Sequence, residues 1–190
     1  MVWVNTSPLV KTYTLDEFWQ LPDPPGRLKL ELIAGVLYLS PLPEYRHDNI
    51  VSRLNRMLIL ERERLLDNGS VYVPRAAIWT NDRTHLEPDL FYVSAETESR
   101  LDPARRTTAD LVIEVVSPGS AIYDRNTKAD TYAALGVKEL WLVDEIKETV
   151  EVRTLRGDRY GEGTLFAKGD QLASTVVPDM AIAVIDIFQD

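Results

Sequence analysis

The chain has 190 residues, no cysteine and a net charge of −9, with 45% apolar and 27% charged side chains. Those proportions belong to a globular domain and exclude intrinsic disorder, collagen and coiled coil; a chain this long buries roughly 70% of its unfolded surface without needing staples. The missing cysteine excludes thiolate nucleophiles and Cys-based zinc or iron–sulfur centres, and the acidic balance argues against a general coating of nucleic acid or anionic lipid.

The acid is unevenly placed. Residues 139–190 carry eleven acidic and five basic side chains, whereas Arg46–Leu66 carries five Arg against Asp48, Glu61 and Glu63. A polyanionic partner would therefore meet the first two thirds of the chain. No apolar run approaches the ~20 residues that cross a bilayer, and Met1-Val2-Trp3-Val4-Asn5 lacks a basic stretch followed by an apolar one. The expectation is a soluble cytoplasmic protein with no membrane partner. Pro22-Asp23-Pro24-Pro25-Gly26 is the one strong breaker cluster and lies too near the start to divide domains. A single domain over 1–190 is expected, with a core at about 13–144 and a β extension at about 145–190.

In chain order, Thr14–Trp19 reads as a short helix, with Thr14 and Glu17 spaced as a capping box. Leu30–Ile33 and Val36–Leu39 flank Ala34-Gly35 as a β-hairpin. From His47 to Leu66 the apolar residues Ile50, Val51, Leu54, Met57, Leu58 and Leu65 recur at helical spacing, and Asn68-Gly69 supplies a stop. Strands are predicted at Val71–Val73, Ala76–Trp79, Leu90–Val93, Leu111–Val116 and Glu139–Val143. Between the last two, Asp124–Leu135 reads as a helix ended by Gly136, so the order strand, helix, strand implies a right-handed βαβ unit. Thr149–Leu155, a turn at Arg156-Gly157-Asp158, and strands at Tyr160–Ala167 and Leu172–Val177 lead to an apolar end at Ala181–Phe188. The fold class is α/β with a mixed sheet.

Four polar residues stand out. Glu114 interrupts the apolar strand Leu111-Val112-Ile113-Glu114-Val115-Val116, where a carboxylate is costly unless paired, hydrogen-bonded or metal-bound. A strand end or a structural ion pair is an equal alternative. Pro88-Asp89 precedes the next strand and can present a carboxylate at the sheet edge, although Pro-Asp is ordinary turn chemistry too. Lys128 follows Asp124 by four residues, either as a solvated helical pair or as a Lys carried back over the Glu114 strand end by the turn at Ser117-Pro118-Gly119-Ser120. Glu31 is a fourth charge inside an apolar strand.

The order Glu31, Pro88-Asp89, Glu114 and Lys128 resembles the PD-(D/E)XK nuclease superfamily. More narrowly, it resembles a widespread bacterial family of restriction-endonuclease-like proteins. The matches are Tyr13–Phe18, Glu31–Leu37, Ser40-Pro41, Glu87–Leu90, Leu111–Pro118, Asp124–Lys128, Tyr132, Gly136–Asp144 and Pro178–Phe188. The resemblance covers nearly the whole chain and implies a restriction-endonuclease-like fold: a central mixed β-sheet flanked by helices, with extra C-terminal β-strands.

By the same resemblance, Asp89 and Glu114 would bind Mg²⁺ (or Mn²⁺), and Glu31 would add a further ligand through water. The cation would polarise a DNA phosphodiester, and Lys128 would orient or help deprotonate the attacking water. The superfamily pattern places its Lys two residues after the acidic strand residue, which here is Val116. Lys128 fits the variant in which the following helix supplies it.

His47, at the start of the long helix, reads as helix-entry packing with a site role as the alternative. His85 sits in Asn81-Asp82-Arg83-Thr84-His85, read as a hairpin turn without function. Arg53, Arg56 and Arg125, together with Arg105 and Arg106, suit bidentate phosphate contact or a plain solvated surface. Three functions fit: a Mg²⁺-dependent endonuclease acting on DNA, a lapsed nuclease fold that only binds nucleic acid, and a structural or interaction protein. By analogy with restriction-like folds, a homodimer is expected.

Overall fold

The computed structural model describes residues 11–26, 28–41, 43–80, 82–117 and 123–189. Helix α1 (Leu15–Trp19) is capped as its sequence dictates: the Glu17 amide donates to Thr14 Oγ1 at 3.2 Å and the Thr14 amide to Glu17 Oε2 at 2.8 Å. Strands β1 (Leu28–Ile33) and β2 (Val36–Pro41) form the predicted hairpin, two residues longer at its open end. Ala34 (φ 48°) and Gly35 (φ 83°) are both left-handed, as the tight turn matching strand twist requires. Helix α2 (Tyr45–Leu65) stops earlier than Asn68-Gly69 predicts, because Leu66 itself takes the left-handed cap at φ 54°.

Strands β3 (Ser70–Tyr72), β4 (Ile78–Thr80), β5 (Thr84–Leu86) and β6 (Leu90–Val93) follow. His85 lies in β5 and is buried, not in a turn; the turn holds Asp82 and Arg83. After the short helix α3 (Ala95–Glu98) come β7 (Leu111–Val116), a π-helical turn (Asp124–Lys128) running into helix α4 (Ala129–Ala134), and β8 (Glu139–Asp144). The turn at Pro118–Ser120 lies outside the described residues. Strand β9 (Thr149–Arg156) pairs with both β10 (Arg159–Tyr160) and β11 (Thr164–Phe166). Leu172–Val177 is not a strand: it crosses the core as an irregular strap, tied by an isolated bridge from Gln171 to Ala183, before helix α5 (Val184–Phe188).

Two sheets result. The smaller has the order β2-β1-β5-β4 and the larger β10-β9-β8-β7-β6-β3. The large sheet is mixed: β7 and β8 are parallel, joined through α4, while β6–β7 and β8–β9 are antiparallel. Strand periodicity sorts its residues to two faces. Leu111, Ile113, Val115, Trp141 and Val143 pack with α2, the strap and α5. Val112, Val116, Phe91, Leu140 and Leu142 pack with Tyr132 and Ala129 of the βαβ crossover. Residue parity puts Asp89 and Glu114 on this second face. Among the described residues no helix is long and apolar enough to cross a membrane.

Candidate active site

The β6–β7 register ends with Leu90 aligned to Ile113, and Asp89, the residue before β6, accepts from the Val115 amide, which brings it beside Glu114 at the end of the ladder. Both carboxylates line one cavity of about 440 Å³, whose wall also includes Lys29, His47, Asp124 and Lys128. Three of the four residues predicted from sequence therefore line one cavity, and Glu31 joins them from behind through Lys128, 3.4 Å away.

Asp89 is anchored by the Val115 amide, which donates to Oδ2 at 2.8 Å, and by His47 Nε2 at 3.1 Å from the same oxygen. Burial raises the cost of its charge. The bond and charge of His47, with Lys128 and Lys29 nearby, outweigh that and hold the Asp89 carboxyl below its usual range. His47, buried at the entry of α2, has its own pKa raised: desolvation opposes the charge, but Asp89, Asp48 and Glu145 surround the ring. It packs at the helix entry and also touches the site, so both sequence readings apply at once.

Glu114 is the opposite case. Only 2% of its surface is exposed. Its Oε1 accepts from the Tyr132 hydroxyl at 2.5 Å and from Lys128 Nζ at 3.1 Å. Burial pushes its carboxyl up to about 8; Lys128 pulls it down, while Asp89 and Asp124 push it higher. Desolvation thus sets Glu114 apart from Asp89, whose own donors keep its charge in place.

Lys128 is almost fully buried and sits 3.1 Å from Glu114 Oε1, 3.4 Å from Glu31 Oε2 and 3.4 Å from Asp124 Oδ1. Burial works against its charge, but these carboxylates together with Asp89 raise its pKa well above normal. The Asp124–Lys128 pair is therefore no solvated helix pair. Glu31 is held by Lys128, by Lys29 at 3.4 Å and by the Glu87 amide at 3.0 Å. Despite burial, these lower its pKa. Lys29 also donates to the Glu87 carbonyl.

Three participants were missed or underread in the sequence. Tyr132 lies four residues after Lys128, on the same helix face, and Lys29 lies two before Glu31, on the same strand face; both spacings are legible once the partner is known. Asp124 was seen only as a surface partner. Of the arginines expected at phosphates, Arg125 lies in the π-helical turn and is engaged by Asp144 at 3.3 Å and by Glu151. Arg53 donates to the Ile187 carbonyl at 3.3 Å, and Arg56 is exposed on α2.

Among the described residues no group of three or more metal-ligating side chains is assembled. Two carboxylates facing one cavity still suit a small hard cation, which keeps most of its waters and takes one or two carboxylates plus substrate oxygens. A cation beside Glu114 would offset the burial that raises its carboxyl.

This mixed sheet, with opposed acids at the β6–β7 ladder and a lysine delivered by the crossover helix, is that of a restriction-endonuclease-like protein. The chain belongs to the Uma2 family, described as "Putative restriction endonuclease", whose model matches residues 15–185. A crystal structure from Anabaena variabilis, described as "a putative nuclease belonging to DUF820", shares 18% identity over 92% of this chain and 97% of its own, with a TM-score of 0.72. At that identity the likeness establishes the fold. Among curated proteins none matches the chain.

Proposed function

We propose that the chain is a Mg²⁺- or Mn²⁺-dependent endonuclease that hydrolyses DNA phosphodiester bonds. The supporting observation is the pairing of Asp89 with Glu114 across the β6–β7 register, facing one cavity with Lys128. Asp89 and Glu114 would hold the cation, which supplies polarisation of the phosphoryl oxygens and a water of lowered pKa.

The chain's own groups divide the remaining work. Glu114 would give the cation a second carboxylate, which the Tyr132 hydroxyl and Lys128 orient through Oε1. His47 and the Val115 amide fix the Asp89 carboxylate, so it is oriented before substrate arrives. Lys128 is held too firmly protonated to act as a base; its part is to donate hydrogen bonds and offset charge on the phosphoryl group. Glu31 and Asp124 keep that ammonium in place, so Glu31 acts on Lys128 more directly than on the cation.

The test is cleavage of linear and circular DNA in Mg²⁺ and in Mn²⁺, by the parent chain and by Asp89→Ala and Glu114→Ala. Cleavage by the parent alone supports the site. Cleavage that survives both substitutions removes it, and salt-dependent binding without cleavage selects the binding-only alternative.

A further inference from the structure

A second concavity of about 750 Å³ adjoins the carboxylate cavity; Lys29, Pro43, His47 and Asp89 line both. Its chemistry is different. Phe18, Trp19, Leu21 and Pro22 furnish an apolar wall, and Trp19 is 56% exposed. The Trp19 indole meets the buried His85 ring edge-on at 4.7 Å, and Phe18 lies 5.2 Å from the same imidazole.

Polar atoms in this wall lack partners. Six buried side-chain polar atoms have no hydrogen bond among the described residues, and three of them belong to residues lining this groove: His47 Nδ1, Asn55 Oδ1 and His85 Nδ1. His47 Nδ1 has Asp48 Oδ1 no nearer than 3.8 Å. His85 is only 5% exposed. Buried polar atoms are nearly always paired. Three orphans in one wall point to a ligand that brings its own donors and acceptors.

A flat aromatic surface beside in-plane donors and acceptors is the recognition chemistry of a nucleobase. The charges agree. Asp23, Asp48, Glu87 and Asp89 outnumber Lys29 and Arg75 along this groove, so it has no positive excess to attract phosphate, and an uncharged ring suits it better. A base inside a duplex has both faces stacked and its pairing edge occupied, and it reaches such a groove only when taken out of the helix.

We propose that the groove receives one unpaired nucleobase from the strand whose phosphate lies against Asp89 and Glu114. The substrate class is then single-stranded DNA, or duplex DNA with a flayed or extruded base. The placement of the phosphate rests on the nuclease reading; the occupancy of the groove is tested without it.

The experiment is equilibrium binding by fluorescence anisotropy, in EDTA, of a labelled single strand and of the duplex of the same sequence. It uses the parent chain, Trp19→Ala and Asn55→Ala, each first checked for an unchanged melting profile. The parent should prefer the single strand, and Trp19→Ala should cut that preference by roughly ten-fold, the scale of one lost base–aromatic stack. A single strand with one abasic nucleotide should reproduce the loss at one register, and Trp19→Ala should add nothing to it there. Equal affinity for both substrates, a Trp19→Ala loss common to both, or no binding at all overturns the proposal. If Trp19→Ala does not fold, Asn55→Ala and the abasic series carry the same decision. Cleavage that requires Asp89 and Glu114 but shows no strand preference defeats the groove and spares the nuclease reading. Trp19-dependent strand binding without cleavage does the reverse.

Discussion

Asp89 and Glu114 face each other across neighbouring antiparallel strands, yet burial and their partners drive their acidities apart: Asp89 stays ionised, and Glu114 is pushed up to about 8. The difference follows from their donors. Asp89 receives a backbone amide and an imidazole, whereas Glu114 must share Lys128 with Glu31 and Asp124.

Replacing either acid by its amide should separate chemistry from folding. Glu114→Gln keeps an acceptor for Tyr132 and Lys128, and it mimics a side chain already neutral at pH 7. The proposed cleavage should fall by about 100-fold or more in Glu114→Gln and in Asp89→Asn, while the Glu114→Gln melting temperature stays near that of the parent. Undiminished cleavage in both amide variants would show that the acids do not hold the reacting centre.

The pH dependence of stability follows from the same pair. Between the unfolded value of Glu114, near 4.5, and about 8, the folded state binds the extra proton, so stability falls as pH rises through that range. His47 acts in the same direction: its pKa is raised, so its contribution is complete below about 6.5 and is lost as pH climbs through the folded value. Asp89 and Glu31, both lowered, contribute above about 4.5 and lose that contribution in acid. Thermal melts in EDTA should therefore peak near pH 5–6 and decline toward pH 8, and Glu114→Gln should flatten the decline. A parent melting temperature that rises from pH 6 to 8 would contradict the protonated Glu114.

Sequence patterning gave the large features because they are written in local chemistry. The capping box at Thr14 and Glu17, the Ala34-Gly35 turn and the apolar run around Glu114 each state their structure within six residues. The approach of Lys128 to the Glu114 strand end is legible from the short strand–turn–helix connection, whereas the convergence of Asp89 and Glu31 on them is legible only through resemblance, because β pairing between distant strands leaves no local mark. His85 was misread because Asp82-Arg83 is indeed a turn, and β5 begins one residue before the histidine. Leu172–Val177 carries β-branched residues as a strand does, but beyond the Leu172 amide, which donates to the Ile182 carbonyl, its backbone is satisfied by Glu139 and by local bonds around Ser174 instead of by a ladder. Tyr132 is among the positions that carry the resemblance, but no local pattern assigns it a partner, since a buried tyrosine in a helix is ordinary core.

Lys128 neutralises a buried triad, and removing its charge should be costly. Lys128→Met removes the cation that Glu31, Glu114 and Asp124 share and leaves Lys29 beside Glu31, and breaking a buried pair from one side typically costs about 3–5 kcal/mol. Adding Glu31→Gln should recover part of that loss, because it removes one of the stranded charges. Urea titrations of both variants and the parent decide the matter; a Lys128→Met midpoint equal to the parent's would mean that the carboxylates find another counter-charge.

Tyr132→Phe probes the same carboxylate more gently. It deletes one donor to Glu114 Oε1 and leaves the ring in the core, so stability should drop by about 1 kcal/mol. The hydroxyl favours the ionised carboxylate, so its loss should also shift the decline in stability described above toward higher pH. A variant whose pH profile overlays the parent's would show that the tyrosine packs without setting the acidity of Glu114.

Glu139 is fully buried at the start of β8, and its four hydrogen bonds come from neutral donors. Oε1 accepts from Trp141 Nε1 and Ser174 Oγ, and Oε2 from the Thr175 amide and hydroxyl, all at 2.7 Å. Ser174 Oγ in turn accepts from the Val176 and Val177 amides at 3.1 and 3.0 Å. The carboxylate therefore fastens the irregular strap to the central sheet, and the strap and α5 contribute Leu172, Val177, Ile182, Val184 and Ile187 to the α2-side core. Glu139→Gln preserves the volume but turns one acceptor into a donor that faces donors already in place, at a cost of roughly 1–3 kcal/mol for the groups left unpaired. The loss should be local before it is global. Amide exchange should accelerate across residues 171–188 while β7 and β8 stay protected, since three of the four bonds, from Ser174 and Thr175, attach the strap. Unchanged exchange in that segment would show that apolar contacts alone hold the C-terminal strap.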